Sequence, residues 1–293
     1  MVDILNAKSI SLQLHFYIRG FLSRFNKVLR KKPVIGVVHL LPLPGSPSYQ
    51  GNMDEVLKRA LVDAEKLESG GVDAIIVENF GDVPYYPNKV PPITVASMTY
   101  VVSKIVEKVS VPVGVNILRN DAIASLSIAY VTGAEFIRVN VLTEAVVTDQ
   151  GLIEGCAHEL LRLKVYLSGD IIILADVHVK HSYPLMRRSI AESALDIIER
   201  GLADGVIITG RRTGEPPKID ELMLVKRVVK VPVLVGSGVT LENINEFFKF
   251  CDGFIIGSYF KVNGKVKAPV DLNRVQKLID KVTLLRSKGC DNG

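Results

Sequence analysis

The sequence lacks the features that mark a secreted, disulfide-linked or membrane-spanning chain. Among its 293 residues are three cysteines, which lie far apart without a CxxC pair: Cys156, Cys251 and Cys290. This spacing indicates unpaired thiols in a reducing compartment. No stretch approaches the roughly 20 apolar residues that a membrane-spanning helix needs, and the first residues lack the continuous apolar run of a signal peptide. We therefore expect a cytoplasmic protein.

Tryptophan is absent and aromatic residues make up 6% of the chain, although hydrophobic residues overall make up 48%. The abundance of Val, Ile and Leu favours buried parallel strands that are covered by helices. The net charge of +5 is small. Because no motif of interleaved basic and aromatic residues accompanies it, we expect no nucleic-acid partner. A phosphate-binding loop of the GxxxxGK[ST] type is also missing.

From Pro33 onward, short runs rich in β-branched residues alternate with segments of helical periodicity. The eight runs cover residues 34–39, 74–78, 112–116, 136–141, 171–177, 205–209, 232–236 and 253–257. The helical segments include residues 53–69, 96–108, 122–132, 190–200, 220–229 and 241–249. This alternation predicts a parallel sheet with right-handed crossovers. Eight such units predict an α/β fold that closes into a single (β/α)8 TIM barrel over residues 33–286, followed by a tail over residues 287–293.

The first 32 residues form a basic amphipathic extension that differs from the rest of the chain. Its apolar residues fall at helical spacing, and lysines and arginines flank them: Phe21, Leu22, Phe25, Val28 and Leu29. One interpretation is a helix that packs across the bottom of the barrel or into the interface of a homo-oligomer. The other is a helix on a membrane surface, with peripheral contact through residues 16–32. The sequence leaves both open.

In a TIM barrel, side chains at the carboxyl ends of the strands point into one shared mouth. Here nearly every strand end carries charged or amide residues, and burying them is costly unless they are paired, so this polar rim predicts a functional site. Asp176, His178 and Lys180 share one face of the fifth run. We expect Asp176 and His178 to form an acid–base pair, and Lys180 to hold a substrate anion or form a Schiff base. Glu78 is a further catalytic candidate, and the alternative for His178 is that it satisfies loop carbonyls.

Six other residues at strand ends are expected to bind the substrate: His39, Asn79, Asn116, Arg138, Asn140 and Thr209. An equal alternative for the asparagines is that they tie the barrel rim together. No cofactor is predicted, and no HxH or HExxH motif supports a metal site. A divalent metal held by His39, Glu78, Asp176 and His178 is the weaker alternative, because such ions accept mixed histidine and carboxylate ligands.

Two glycine-containing turns follow the seventh and eighth runs. They comprise Gly236, Ser237 and Gly238 in the first turn, and Gly257 and Ser258 in the second. Glycines let backbone N–H groups approach an anion closely, and barrels repeatedly bind phosphate with these two loops. The predicted helix over residues 241–249 would aim its positive end at the same point. We therefore expect a phosphate cup and a phosphorylated small-molecule ligand. The alternative is that the glycines make tight turns and nothing more.

The same strand ends carry long motifs that resemble the BtpA family. They are VHLLPLPGSP at 38–47, VENFGD at 77–82, GVNILRND at 114–121, FIRVNV at 136–141, TDQG at 148–151, DVHVKH at 176–181, GSGVT at 236–240 and APVD at 268–271. The resemblance covers residues 33–286. It implies a barrel of the ribulose-phosphate-binding type, which agrees with the predicted cup. The family, widespread in archaea and bacteria, takes its name from a cyanobacterial protein linked to photosystem I biogenesis.

Two functions follow as competing hypotheses. The polar mouth and the cup favour an enzyme that acts on a small phosphorylated metabolite by isomerase, lyase or aldolase chemistry. The resemblance, together with the basic extension, keeps open a non-catalytic assembly factor of the photosystem-biogenesis type, peripheral to a membrane.

Overall fold

Eight parallel strands close into a barrel in the computed structural model of the chain, which describes residues 24–29 and 31–290. The described residues contain eleven strands, of which eight form the barrel and three form a separate sheet. In chain order they are β1 (Val34–His39), β2 (Ala74–Glu78), β3 (Val113–Asn116), β4 (Phe136–Val139), β5 (Ala145–Thr148), β6 (Gly151–Glu154), β7 (Ile172–Val177), β8 (Ser182–Pro184), β9 (Gly205–Ile208), β10 (Val233–Val235) and β11 (Gly253–Ile256). Around the barrel the order is β1, β11, β10, β9, β7, β4, β3, β2, and β2 pairs again with β1. The predicted TIM barrel is confirmed.

In chain order the α-helices are α1 (Arg24–Leu29), α2 (Met53–Ser69), α3 (Pro92–Lys108), α4 (Ala122–Thr132), α5 (Ala157–Leu167), α6 (Ile190–Glu199), α7 (Ile219–Val228), α8 (Ile244–Phe248) and α9 (Leu272–Cys290). The helices match the predicted segments except at α3, α5, α8 and α9. Helix α3 begins four residues before its predicted start, with proline in the first turn, where a missing N–H costs nothing. Helix α5 was not predicted, and α8 is shorter than predicted.

Helix α9 extends beyond residue 286, the predicted end of the barrel domain. It continues to Cys290 and so includes part of the predicted tail. Val275, Leu278 and Val282 lie at helical spacing along it and are fully buried against the core. Among the helices of the described residues, none combines the length and apolar character that crossing a bilayer requires.

Strand alternation places two sets of side chains on opposite sides of the barrel wall. In β1, Val34 and Val38 pack outward against the helices, whereas Ile35 and Val37 belong to the cluster that fills the barrel. The same alternation in β2 leaves Ile76 inside. The interior residues nearest the carboxyl ends are therefore those at positions such as His39 and Glu78, two residues further along these strands.

Helix α1 packs against the opposite end of the barrel. Phe25 is fully buried, and its ring stacks on that of Phe136, which begins β4, at a centroid distance of 4.0 Å. Leu29 is buried in the same cluster. The described part of the extension therefore packs across the barrel bottom, as in the first of the two interpretations. Residues 1–23 and Arg30, which include most of the predicted membrane-contact segment, lie outside the described residues.

A small antiparallel sheet that the sequence did not predict follows β4. Strand β5 pairs with β6 on one side and with β8 on the other. Strand β8 comes from the loop after β7, so the sheet ties the fourth and fifth loops of the mouth together. The tip of its hairpin, Asp149 and Gln150, lines a cavity in the mouth.

Candidate functional site

A buried ion network lies at the carboxyl end of the barrel interior. The Arg138 guanidinium donates from Nε and Nη2 to the two oxygens of Asp176, each at 2.9 Å, and from Nη1 to Glu78 at 3.3 Å. Asn140 donates to Asp176 at 2.8 Å, and Asn116 donates to Glu78 at 3.0 Å. Burial opposes the charge of Arg138, but the two carboxylates outweigh it and raise the pKa of this guanidinium.

Lys180 borders this network from the loop after β7. Its backbone N–H donates to Thr209 Oγ1 at 3.1 Å, and its carbonyl accepts a hydrogen bond from Arg119. Burial, and next the positive charge of Arg138, lower the pKa of Lys180 from 10.5 to about 8, although Glu78 and Asp176 oppose this shift. A substantial fraction of the amine is therefore neutral near pH 8, as a nucleophile requires.

The predicted pairing of Asp176 with His178 is wrong. The backbone of His178 takes a φ of 48°, which ends the strand alternation. The ring Nε2 lies 2.9 Å from Ser193 Oγ on helix α6, while the Asp176 carboxylate bonds to Arg138 and Asn140. Burial lowers the pKa of His178, so the ring is neutral at pH 7. His178 therefore contacts helix α6 rather than Asp176 or a loop carbonyl, and it lines a cavity in the mouth.

The possible metal site at His39, Glu78, Asp176 and His178 is not assembled. Arg138 occupies the space between the two carboxylates and supplies the positive charge that they need. Within the described part of the chain, no cluster of three or more His, Cys, Asp or Glu residues has the geometry to hold a metal. His39 lies 3.7 Å from Glu78, and burial, reinforced by Lys261 and Lys180, holds its pKa well below the usual value, so it is a neutral imidazole.

Two cavities open from this network. The larger has a volume of about 990 Å³, and the smaller about 210 Å³. Glu78, Arg138 and Lys180 line both cavities and therefore stand where they meet. Asn116, Asn140 and Thr209 line the larger cavity, and His39 lines the smaller one.

Asn79 does not fit the predicted substrate-binding role. Its side chain accepts a hydrogen bond from the Leu118 N–H at 2.7 Å and donates to Asp82 at 3.1 Å. It is buried, and it is not among the residues that line either cavity. Asn79 therefore ties the loops after β2 and β3 together, which was the alternative for the asparagines.

All five residues of the predicted phosphate cup line the smaller cavity: Gly236, Ser237, Gly238, Gly257 and Ser258. Gly238 has a φ of 68°, and a Cβ atom there would lie 2.0 Å from the Pro216 nitrogen, so only glycine fits. A Cβ on Gly257 would lie 2.8 Å from the ring of His39. The Ser237 hydroxyl accepts from Gly210 N–H and donates to the Glu215 carbonyl, so it braces the neighbouring loop.

The predicted start of the helix that was expected to point at the cup is wrong. Helix α8 begins at Ile244, three residues later than predicted, and has five residues. The Asn243 side chain accepts from Thr240 N–H and donates to the Gly238 carbonyl, both at 2.8 Å, and this closes a turn in place of a first helical turn. The cup therefore depends on its turns rather than on a helix dipole.

Arg274 and Arg119 line the cavities, although neither was among the predicted site residues. Arg274, on α9, lines the smaller cavity, donates to the Tyr259 carbonyl at 2.5 Å and lies over the Tyr259 ring at 4.3 Å. Arg119, in the loop after β3, lines the larger cavity and is 4% exposed. Arg119 falls within the motif at 114–121, but neither residue belongs to a barrel strand, so strand alternation did not place them.

The fold and the mouth define a TIM barrel with a buried, charged site at the carboxyl ends of its strands and a glycine-lined cavity after the last two strands. A model of the BtpA family matches residues 30–284. The chain belongs to the BtpA family.

Relatives of known sequence and structure agree with this assignment. An uncharacterized protein of Pyrococcus furiosus is 51% identical over 85% of this chain and 94% of that protein. The photosystem I biogenesis protein BtpA of Synechocystis is 49% identical over 85% of this chain and 87% of that protein. The solved structure of thiamine phosphate pyrophosphorylase from Pyrococcus furiosus superposes with a TM-score of 0.57 over 88% of this chain and 98% of that chain. At 14% identity, this likeness concerns the fold alone.

Proposed function

We propose that this protein is an enzyme of the lyase or aldolase type that acts on a small phosphorylated carbonyl compound. The observation that carries the proposal is the position of Lys180 where the two cavities meet, beside the ion network of Glu78, Arg138 and Asp176. A phosphate in the smaller cavity leaves the adjoining carbons of a short substrate next to Lys180.

The reaction begins with the neutral amine of Lys180. The nitrogen lone pair adds to the carbonyl carbon, the carbonyl oxygen takes up protons and leaves as water, and an iminium ion forms. The bond between the first and second carbons beyond the iminium carbon then breaks, its electron pair forms an enamine, and the hydroxyl on the departing carbon loses its proton and becomes a carbonyl. Protonation of the enamine carbon and hydrolysis by water release the second product and restore the amine of Lys180. The carboxylates of Glu78 and Asp176, held by Arg138, provide a fixed negative field that favours the iminium cation. Neutral His39 is a candidate for proton transfer near the cup.

Reduction with borohydride in the presence of dihydroxyacetone phosphate tests this proposal. Hydride converts an iminium to a stable secondary amine, so the expected result is one adduct per chain, mapped by peptide mass spectrometry to Lys180. Excess inorganic phosphate should suppress it by competition for the cup. Lys261 is the matched control, because its pKa is also lowered to about 8, mainly by burial, but it lies in an ion pair with Asp63 and lines neither cavity. Absence of the Lys180 adduct, or equal labelling of Lys261, would contradict the proposal.

The 49% identity with a photosystem I biogenesis protein favours a second candidate, an assembly factor without catalysis. A Synechocystis strain without its own BtpA separates the two functions when it receives this protein or its Lys180→Met variant. Restoration of photosystem I by both forms would support the assembly factor. Restoration by the unaltered protein alone would support a role that needs the amine.

A further inference from the structure

The larger cavity extends well beyond what a short phosphorylated substrate would occupy. The smaller cavity, of about 210 Å³, accommodates the phosphate, and Lys180 at the junction takes the reacting carbon. The larger cavity of about 990 Å³ continues past Lys180 toward the loops after β2 and β3, where it is lined by Tyr85, Leu118 and Arg119. Its volume is at the upper end of the range for small-molecule sites.

Arg119 is a buried residue of this cavity whose hydrogen-bonding capacity is only partly satisfied. One Nη donates to the Lys180 carbonyl, and the buried Nε has no hydrogen-bond partner. No ion pair of Arg119 occurs among the described residues, although Asp176 and Asp149 act on it at longer range. Arg138, by contrast, is bonded to two carboxylates. A buried cation without an anion is costly, and an oxyanion from a ligand removes that cost.

A second polar atom with no partner lies in the same cavity. Asn140 is 2% exposed and uses its Nδ2 to hold Asp176, while its buried Oδ1 has no hydrogen-bond partner. A guanidinium Nε–H that lacks an acceptor and an amide oxygen that lacks a donor suit a ligand group with both oxyanion and hydroxyl character. The exposed Arg211 and Arg212 add positive charge at the rim, and Asp149 and Glu215 add negative charge there.

We propose that Arg119 binds a second oxyanion, a phosphate or carboxylate at the far end of the same substrate whose first phosphate lies in the cup. This rests on the proposed function, because it assumes the phosphate cup. The substrate class is thereby narrowed to compounds with an anionic group at each end and the reacting carbon between them, alongside Lys180.

A series of straight-chain alkanediol bisphosphates tests the second site. Chains of about three to eight carbons are titrated by calorimetry against alkyl monophosphates of the same lengths, because a linked group gains most when its length matches the span between the sites. We expect one length to bind at least about tenfold more tightly than its monophosphate. Chains with a terminal carboxylate in place of the second phosphate show which oxyanion the site prefers.

Two variants test whether Arg119 causes the tighter binding of the bisphosphate. In Arg119→Met the bisphosphate should bind no more tightly than the monophosphate, while monophosphate affinity stays within about twofold of the unaltered protein, which also shows that the variant folds. Arg227→Met removes the same charge from an exposed position on α7 and should keep the full gain.

The outcomes separate this inference from the proposed function. If monophosphates bind but neither bisphosphates nor the carboxylate chains bind more tightly, the second site is wrong and the cup stands. If the gain persists in Arg119→Met, the assignment to Arg119 is wrong. If no monophosphate binds at all, the cup itself is wrong and both proposals fall.

Discussion

Arg138 and Asp176 form a two-pronged ion pair inside the barrel, with Nε and Nη2 each 2.9 Å from a carboxylate oxygen. Both side chains are nearly inaccessible to solvent, and Glu78 completes the arrangement on the other side of the guanidinium. One cation therefore compensates two buried anions, and the stability of the mouth depends on it.

Replacing Arg138 by Met should lower the free energy of unfolding by about 3–5 kcal/mol, because Glu78 and Asp176 lose their buried counter-charge. Urea denaturation at pH 7 measures the change. Lys104→Gln removes a cation from an exposed pair with Glu107 and should leave the unfolding midpoint almost unaltered. Equal effects of the two substitutions would show that the charge of Arg138 does not stabilise the two buried carboxylates.

Replacing Lys180 by Met should stabilise the protein at pH 7. The folded-state pKa of about 8 is below the usual 10.5, so below pH 8 the native state carries the cost of a buried cation. Between pH 8 and 10.5 the native amine is neutral while the unfolded one is still charged, and the cost disappears as pH rises. We expect a gain of about 1–3 kcal/mol at pH 7 that vanishes near pH 10.5, measured by denaturation at several pH values.

Lys261→Met is the contrasting substitution. Lys261 donates to Asp63 at 3.3 Å and to the Val37 carbonyl at 3.1 Å, and both charged side chains are fully buried. Its removal leaves Asp63 with less compensation, so we expect a loss of about 2–4 kcal/mol despite the similar pKa of the two lysines. Stabilisation by this change would mean that burial of the ammonium outweighs the ion pair.

Gly257→Ala should disrupt the cup. The added methyl group would lie 2.8 Å from the His39 ring, so either the ring or the turn after β11 must move. We expect at least about a tenfold loss of affinity for inorganic phosphate in calorimetry. Gly169→Ala, whose Cβ would lie 3.3 Å from the exposed Tyr130 ring in a loop that lines neither cavity, serves as the matched control. Unchanged phosphate binding in Gly257→Ala would count against the cup.

Phe25→Ala should destabilise the barrel by about 3–5 kcal/mol, because it removes a fully buried ring that stacks on Phe136. The melting temperature of the full chain measures it. Tyr166→Ala, at a side chain that is 83% exposed, should change little. A neutral Phe25→Ala would mean that α1 contributes nothing to closing the barrel bottom.

The barrel was predictable because hydrophobic runs and helical segments alternate eight times, and each run corresponds to an observed strand within two residues at either end. The same alternation placed Glu78, Arg138 and Asp176 inside the mouth. It failed at His178, because a positive φ turns the chain where the strand ends. Strand alternation also could not predict the positions of Arg119, Arg274 or the hairpin of β5 and β6. Positions outside the barrel strands follow from tertiary contacts rather than from periodicity.

The cup was likewise predictable only in part. Its five residues were correctly grouped from two turns that follow neighbouring strands. The shortening of α8 depends on the Asn243 side chain, which competes for the backbone groups of Gly238 and Thr240. Such local competition by asparagine is not visible as a break in hydrophobic spacing.

The hairpin of β5 and β6 hydrogen-bonds to β8 and to no strand of the barrel, yet its tip forms part of the wall of the larger cavity. Residues there can be exchanged, added or removed without altering the pairing that closes the barrel. Changes at the hairpin tip can therefore alter the wall of the larger cavity of this protein without altering the ion network beneath it.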